Sequence, residues 1–320
     1  MSWMRYLLAG LCLSFSMPMV CAASYPDREV RLIVNYGAGG VTDVAARLLA
    51  KALEQELKKP VVVENKAGAQ ATLGPAHLMR QAPDGYTLGI ITLSAVSITP
   101  HMIDVPYTID DFEFIGGSGR YRYGLAVQAN APYKTVQEFV QTARGAKGQP
   151  LFFGTPGAPN NLAFFDMAKK TGANLEQVLY KSGTEAVTAL AAGQIAAVIQ
   201  TPSEITPFVE SGKVRLLASV SPDRWQTLPD MPTLKEAGVD VEIGSWMGVA
   251  VPKGTPAAVR TRLEQALAAA MQNPDLVSGL SKMGIDPAYL SGKEYAQLLK
   301  QEYTLMLPRL QAAGAPVKDR

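Results

Sequence analysis

The stretch Asn35-Tyr36-Gly37-Ala38-Gly39-Gly40-Val41-Thr42-Asp43 sets three glycines between a strand-like run, Val30–Val34, and a long helical pattern that begins at Thr42. Glycine adopts backbone conformations closed to other residues and lets a ligand come up against the main chain. The first amides of the following helix have no intrahelical acceptor, and the helix dipole adds partial positive charge there. Such a junction suits a carboxylate or a phosphate. Thr42 or Asp43 is the expected helix cap, Tyr36 offers an aromatic wall, and a side chain introduced at Gly39 is expected to block the approach. A strand–glycine–helix junction also serves as a plain tight connection, and the motif alone does not decide between the two.

Catalytic groups are scarce. Both cysteines, Cys12 and Cys21, fall in the first 23 residues, and the two histidines, His77 and His101, lie far apart. Thiol catalysis, disulfides and cysteine-ligated metal are therefore not expected, and histidine-dependent triads and metal sites are poorly supplied. No serine or lysine sits in a nucleophile motif, and no convergent pair of carboxylates stands out. The formal net charge of +2 gives no reason to expect nucleic acid. No catalytic residue, metal or cofactor is expected. A small soluble ligand held by a monomer is.

The elements that position these residues alternate. Arg5 precedes an apolar run over residues 6–15, and Val20-Cys21-Ala22-Ala23 supplies small residues for cleavage, so residues 1–23 read as a secretory signal peptide and the periplasm as the destination. The run is shorter than the roughly 20 residues that span a bilayer. Lipidation at Cys21 is the rival reading, but Val20 before it is bulkier than such processing wants. Beyond the signal, a helix carries Ala45, Leu49, Leu53 and Leu57 on one face. A strand over 60–63 leads into the loop Asn65-Lys66-Ala67-Gly68-Ala69-Gln70 and a helix through Arg80, and a third strand over 86–92 ends in Thr92-Leu93-Ser94. Strand, polar loop and helix recurring in this order predict a doubly wound α/β domain with its ligand beyond the carboxyl ends of the strands.

Residues 98–111 read as irregular, and residues 112–119, with three glycines, as a passage between lobes. A second α/β unit follows. A strand over 151–153 opens into Gly154-Thr155-Pro156-Gly157-Ala158-Pro159-Asn160-Asn161, and a strand over 178–180 into Lys181-Ser182-Gly183-Thr184 and a helix ended by Gly193. Strands are expected at 195–199 and 214–220, a short helix up to Gly238, and a returning strand over 243–252. Helices are expected at 256–271, 274–283 and 292–312.

Taken together, several motifs resemble the substrate-binding proteins of tripartite tricarboxylate transporters, the Bug family. They are Tyr25-Pro26, the Tyr36 to Asp43 loop, Val63-Glu64-Asn65-Lys66-Ala67-Gly68-Ala69, Pro83-Asp84-Gly85-Tyr86-Thr87-Leu88, Asp111-Phe112 and Tyr180-Lys181. Gly193-Gln194, Pro229-Asp230-Met231-Pro232-Thr233, Glu236-Ala237-Gly238 and Pro252-Lys253-Gly254-Thr255-Pro256 complete the set. The resemblance implies a two-lobed periplasmic binding protein fold of type II, each lobe a doubly wound sheet flanked by helices. Lobe 1 would comprise residues 24–123 and 246–320, and lobe 2 residues 124–245. The cleft between them would close on a small organic carboxylate, aromatic and monocarboxylic ones included, for delivery to the membrane components of the transporter. Carried over, the lobe 1 grip falls on Tyr36, Ala38, Gly39, Gly40, Thr42 and Asp43, with Gly68, Ala69 and Gln70 nearby. Thr92 and Ser94 stand at a strand end beside it. The lobe 2 grip falls on Thr155 through Asn160 and Asn161, and on Tyr180, Ser182, Gly183 and Thr184.

Two departures touch lobe 2. A glycine-serine pair followed by histidine-leucine is replaced by Gly157-Ala158-Pro159-Asn160-Asn161-Leu162, and the usual glycine-serine order after Tyr180-Lys181 is reversed to Ser182-Gly183. Donors for a distal carboxylate are thereby altered, while the amides of Asn160 and Asn161 suit a neutral group as well. Near the passage, Arg120 and Arg122 could grip a carboxylate and Tyr121 and Tyr123 stack on a ligand, although a solvent-facing strand would show the same alternation. Trp246 either lines the cleft or packs at the hinge, and Lys181 either neutralises an anion or is solvated. The rival functions are a ligand sensor feeding a membrane signalling protein and an enzyme on the same scaffold using carboxylate acid–base chemistry.

Overall fold

A computed structural model describes residues 25–145, 148–225 and 227–318. Residues 1–23, read above as a signal peptide, and Cys21 within them lie outside the described residues. The first half runs β1 (Val30–Val34), α1 (Val41–Leu57), β2 (Val61–Asn65), α2 (Leu73–Leu78), β3 (Thr87–Thr92) and β4 (Phe112–Tyr121). Next come β5 (Gly124–Gln128), α3 (Val136–Gly145), β6 (Leu151–Thr155), α4 (Asn160–Thr171), β7 (Leu175–Leu179), α5 (Gly183–Ala191), β8 (Ala197–Gln200), α6 (Pro202–Glu210) and β9 (Val214–Ser219). The chain closes with β10 (Ser245–Pro252), α7 (Ala257–Ala270), α8 (Pro274–Lys282), β11 (Ile285–Ser291) and α9 (Gly292–Ala312).

These strands form two sheets, one of six in the order β11-β4-β10-β3-β1-β2 and one of five in the order β7-β6-β8-β5-β9. β1 pairs in parallel with both β2 and β3, so it is covered by strands on each side and by helices on its faces. Its near-continuous apolar run follows from that position. α1 docks on the sheet through Ala45, Leu49, Ala52, Leu53 and Leu57, and ends at Lys58, whose left-handed backbone lets its N–H donate to the Glu54 carbonyl. The chain passes from one sheet to the other twice: through Arg122 and Tyr123 after β4, and through residues 220–244 before β10. Buried apolar side chains are continuous across the junction, from Leu32 and Leu53 through Tyr121 and Tyr123 to Leu125, Phe153 and Phe164.

Three expectations need correction. The glycine-rich residues 112–119 are not a passage but most of β4, a ten-residue strand paired on both edges with β10 and β11. Its glycines answer to crowding: a Cβ on Gly117 would sit 3.2 Å from the Tyr295 ring, and one on Gly119 2.6 Å from Ile285. The short helix expected before Gly238 is a turn, held by Thr233 and Glu236, whose carboxylate accepts from the Thr233 amide at 2.8 Å. Sequence reading also passed over α6, β11 and the π turn Ser94–Ile98, and within residues 98–111, where irregular chain was expected, Thr99–His101 and Ile109–Asp111 form 3-10 turns.

Candidate functional site

The carboxyl ends of β1 and β3 and the start of α1 meet the starts of α5 and α6 from the other sheet, and a small chamber lies between them. It offers about 40 Å³ to the centres of water-sized molecules, room for about three waters. Its lobe 1 wall comes from Tyr36, Gly40, Val41, Thr42 and Thr92, with Tyr121, Tyr123 and Ser245 near the crossing between the sheets. Pro156, Asn160, Ser182, Gly183, Gln200, Thr201 and Glu204 close it from lobe 2. An outer cleft of about 290 Å³ shares Tyr36 and Pro156 with the chamber and opens between Gly68, Ala69, Gln70 and Ala71 on one side and Leu179, Tyr180 and Lys181 on the other.

Of the residues expected in lobe 1, Tyr36, Gly40, Thr42 and Thr92 thus line the chamber, and Tyr36, Gly68, Ala69 and Gln70 the outer cleft. Ser94 lines neither, but its hydroxyl lies 3.2 Å from the Tyr36 hydroxyl and 3.0 Å from that of Thr92, fixing both. Asp43 is buried and lines neither. Its carboxylate takes the Gly39 N–H at 2.9 Å, Asn65 Nδ2 at 2.8 Å and Arg47 Nε at 3.0 Å, and so ties the glycine loop to β2. Burial pushes the Asp43 carboxyl up, but hydrogen bonds from Arg47, the Gly39 amide and Asn65 outweigh it and hold the group below the usual carboxylate range.

The expected cap is corrected: Gly40 precedes the first helical residue, Val41, without a side-chain cap, and Thr42 Oγ1 instead meets the Tyr121 hydroxyl at 2.9 Å. Gly39 is also reassigned. A Cβ there would meet nothing within 4 Å, and glycine is required by its φ of 80°. The close approach belongs to Gly40, whose Cβ would stand 3.8 Å from Ser182 Cβ. Ala38 is exposed and lines neither space. At the cleft mouth Ala69, Gln70 and Ala71 hold φ of 46°, 54° and 70° in succession, a left-handed run that costs roughly 1–2 kcal/mol per residue.

In lobe 2, Asn160, Ser182 and Gly183 line the chamber and Tyr180 the outer cleft. Ser182 caps α5, accepting from the Glu185 N–H at 3.2 Å. The expected donors at Asn160 and Asn161 are otherwise engaged or placed. Asn160 Nδ2 donates to the Ile199 carbonyl and, at 3.0 Å, to Gln200 Oε1, and Asn161 is fully buried away from the chamber. Thr155 is buried too, its hydroxyl donating to the Gly157 carbonyl and accepting the Gly157 N–H. Thr184 faces the Glu204 carboxylate with its backbone N–H. Arg120 and Arg122 turn away from the chamber and pair with Asp286 at 3.1 and 2.7 Å. Strand alternation sends their neighbours Tyr121 and Tyr123 to the opposite face and into it. Trp246 packs beside the core and lines neither space.

Sequence reading missed Gln200, Thr201 and Glu204. Thr201-Pro202-Ser203-Glu204 is a helix-opening signature, a hydroxyl three residues before a glutamate with proline at the first helical position. Glu204 is buried, and its Oε2 accepts the Thr201 hydroxyl at 2.8 Å. The backbone N–H groups of Val41, Thr201 and Thr184 also face its carboxylate and favour the charged form. Burial raises the Glu204 pKa above the ordinary value, and these hydrogen bonds pull against it. Burial likewise raises Tyr36, Tyr121 and Tyr123, so their hydroxyls remain neutral. The chamber therefore presents neutral donors, the starts of α1, α5 and α6 and one carboxylate, with no lysine or arginine among its lining residues.

The sequence profile of the "Tripartite tricarboxylate transporter family receptor" (TctC) matches residues 45–314. A Cupriavidus necator protein described as "UPF0065 protein in gbd 5'region" is 35% identical over 293 residues, covering 90% of this chain and 88% of that protein. Among solved structures, the periplasmic binding protein BugD superposes with a TM-score of 0.85 at 28% identity, covering 92% of this chain and 100% of BugD. Rpa4515 of R. palustris, solved with adipate, superposes at 0.85 with 27% identity over 91% of this chain and 98% of its own. With the matched profile spanning most of the chain and the two-sheet architecture in common, this chain belongs to the tripartite tricarboxylate transporter receptor family, the TctC or Bug-type periplasmic solute-binding proteins.

Proposed function

We propose that this protein captures a small carboxylate-bearing solute between its lobes in the periplasm and hands it to the membrane components of a tripartite transporter, acting as a binder and not as an enzyme. The observation that carries this reading is the chamber between the two sheets, where the start of α1 and the hydroxyls of Tyr36, Thr42, Tyr121 and Tyr123 converge. Neutral donors and a helix N-terminus hold a carboxylate without a formal counter-charge. Glu204 is the one acidic side chain lining the chamber and the tyrosines around it stay protonated, a set that orients a ligand without an acid–base pair. That Rpa4515 was solved with adipate supports a carboxylate ligand here. The lobes are residues 24–123 with 246–320, and 124–245, and residues 1–23 direct export. Among the expected contacts, Tyr36, Gly40, Thr42, Asn160, Ser182 and Gly183 form the inner site, and Gly68, Ala69, Gln70 and Tyr180 the approach to it. The protein works as a monomer.

Thermal unfolding of the protein lacking residues 1–23, stripped of copurified ligand, against mono-, di- and tricarboxylates tests the reading. A ligand that binds only the folded state must raise the midpoint. A rise confined to one chemical subset supports it, and a flat response to every carboxylate overturns it.

A further inference from the structure

Glu204 sits where a bound carboxylate would be expected. The T-x-x-E opening of α6 accounts for its contacts with Thr201. It does not account for the Val41 N–H at the start of α1, contributed by the other lobe, or for the Thr184 N–H at the start of α5. The carboxylate thus lies between two helix N-termini, one from each lobe, with Gly40 close by at 3.9 Å from a Cβ position. Gly183 is cut to fit it: a Cβ there would stand 2.5 Å from Glu204 Oε1, 2.6 Å from Oε2 and 2.5 Å from Gln200 Oε1.

A second observation gives the other half of the site. Gln200 is 2% exposed, its Oε1 is held by Asn160, and its Nε2, in a residue that lines the chamber, has no hydrogen-bond partner. The chamber therefore has an anionic side at Glu204 and a donor side made of the Gln200 amide and the tyrosine hydroxyls. The only cation lining either space is Lys181, out in the cleft.

Resting on the carboxylate-binding reading above, we infer that the ligand is a zwitterion, an amino-bearing monocarboxylate whose ammonium group faces Glu204 while its carboxylate takes the donors of Gln200 and the tyrosines. A short dicarboxylate would bring two further negative charges into a buried chamber that holds one and has no cation to offset them. An ammonium group supplies the missing opposite charge.

Matched pairs that differ only in one terminal group test this: succinate against β-alanine, and glutarate against 4-aminobutyrate, titrated calorimetrically into the ligand-free protein. The amino member of at least one pair is expected to bind about tenfold tighter or more than its dicarboxylate. Glu204→Gln should shrink or reverse that ratio, and Glu204→Asp should keep it. Dicarboxylates binding as well as or better than their amino partners to the wild-type protein overturns the inference and leaves the carboxylate reading standing. So does a ratio unmoved by Glu204→Gln. The wild-type comparison holds even if a variant fails to fold. Binding of no carboxylate of any kind overturns the proposed function and the inference with it.

Discussion

Glu204 is a buried acid that the fold makes harder to ionise than it is in water, and that gives its titration a definite sign. Because burial raises its pKa in the folded protein above the unfolded value, the folded state holds the proton more tightly. Its contribution to stability is therefore most favourable below the unfolded pKa, about 4.3, and is lost as the pH climbs through the folded value. The ionisable groups that face it, Tyr36, Tyr121 and Tyr123, are held neutral and do not titrate in this window. Glu204→Gln removes the titration, so the difference in unfolding midpoint, variant minus wild type, should grow more positive from pH 4 to pH 7 in ligand-free protein. The slope is the readout, since a glutamine amide opposite the Val41 and Thr184 N–H groups shifts both ends by a constant amount. A difference independent of pH would show that Glu204 does not titrate in a buried setting. This residue was the hardest to find in the sequence. α6 carries Pro202 at its start and Pro207 inside, so its apolar pattern is interrupted and the helix went unread. The reversed Ser182-Gly183 order was plain, yet its reason lay in a contact with a residue some twenty positions further on, which no local pattern encodes.

The elements were far more legible, because the signals that make them are local. α1 was readable from its four-residue apolar spacing, and β1 and β3 from their apolar runs, since both are interior strands of the six-stranded sheet. β4 was misread because glycine has two uses. At Gly117 and Gly119 it admits Tyr295 and Ile285 against the strand and does not mark a turn. The opening loop of α1 shows the reverse case, in which a polar residue taken for a ligand contact holds an element in place. Asp43 gathers the Gly39 N–H, Asn65 and Arg47 on one carboxylate, joining the loop, β2 and the first turn of the helix. Asp43→Ala should cost about 1–3 kcal/mol, since partners are left unpaired in a partly buried setting. Urea unfolding at pH 7 reads the loss. The wild-type advantage should fade as the pH drops through the depressed pKa of Asp43, because a carboxyl held low in the folded state stabilises only while ionised. An Asp43→Ala protein as stable as wild type at pH 7 would mean that the loop is held by its glycines alone.

At the scale of the whole molecule, the two lobes face each other across the rim of the cleft through backbone and small side chains. Gly37 approaches lobe 2 with its Cβ position 3.8 Å from both the Lys181 carbonyl oxygen and Ser182 Cβ, and a Cβ on Gly157 would come within 3.2 Å of Gln70 Cβ. The separation between positions 37 and 182 matches the Cβ–Cβ distance of a disulfide, about 3.8 Å. Gly37 also lies outside the left-handed region, so a side chain is tolerated there. Both natural cysteines precede residue 24, so the protein without its first 23 residues offers no competing thiol. The double variant Gly37→Cys with Ser182→Cys should form an internal disulfide under mild oxidation, seen as loss of both free thiols and a mobility change on a non-reducing gel. Ser182 caps α5, so the reduced variant should be less stable by about 1 kcal/mol. The oxidised form is then fixed with its lobes together. If opening at the crossings between the sheets is how solute enters, a carboxylate that raises the unfolding midpoint of the reduced variant should leave that of the oxidised variant unchanged, and a reductant should restore the response. Thiols that stay free through oxidation would show that the lobes do not dwell this close in solution. An oxidised protein that still takes up ligand would place the entry route elsewhere than the cleft between positions 37 and 182.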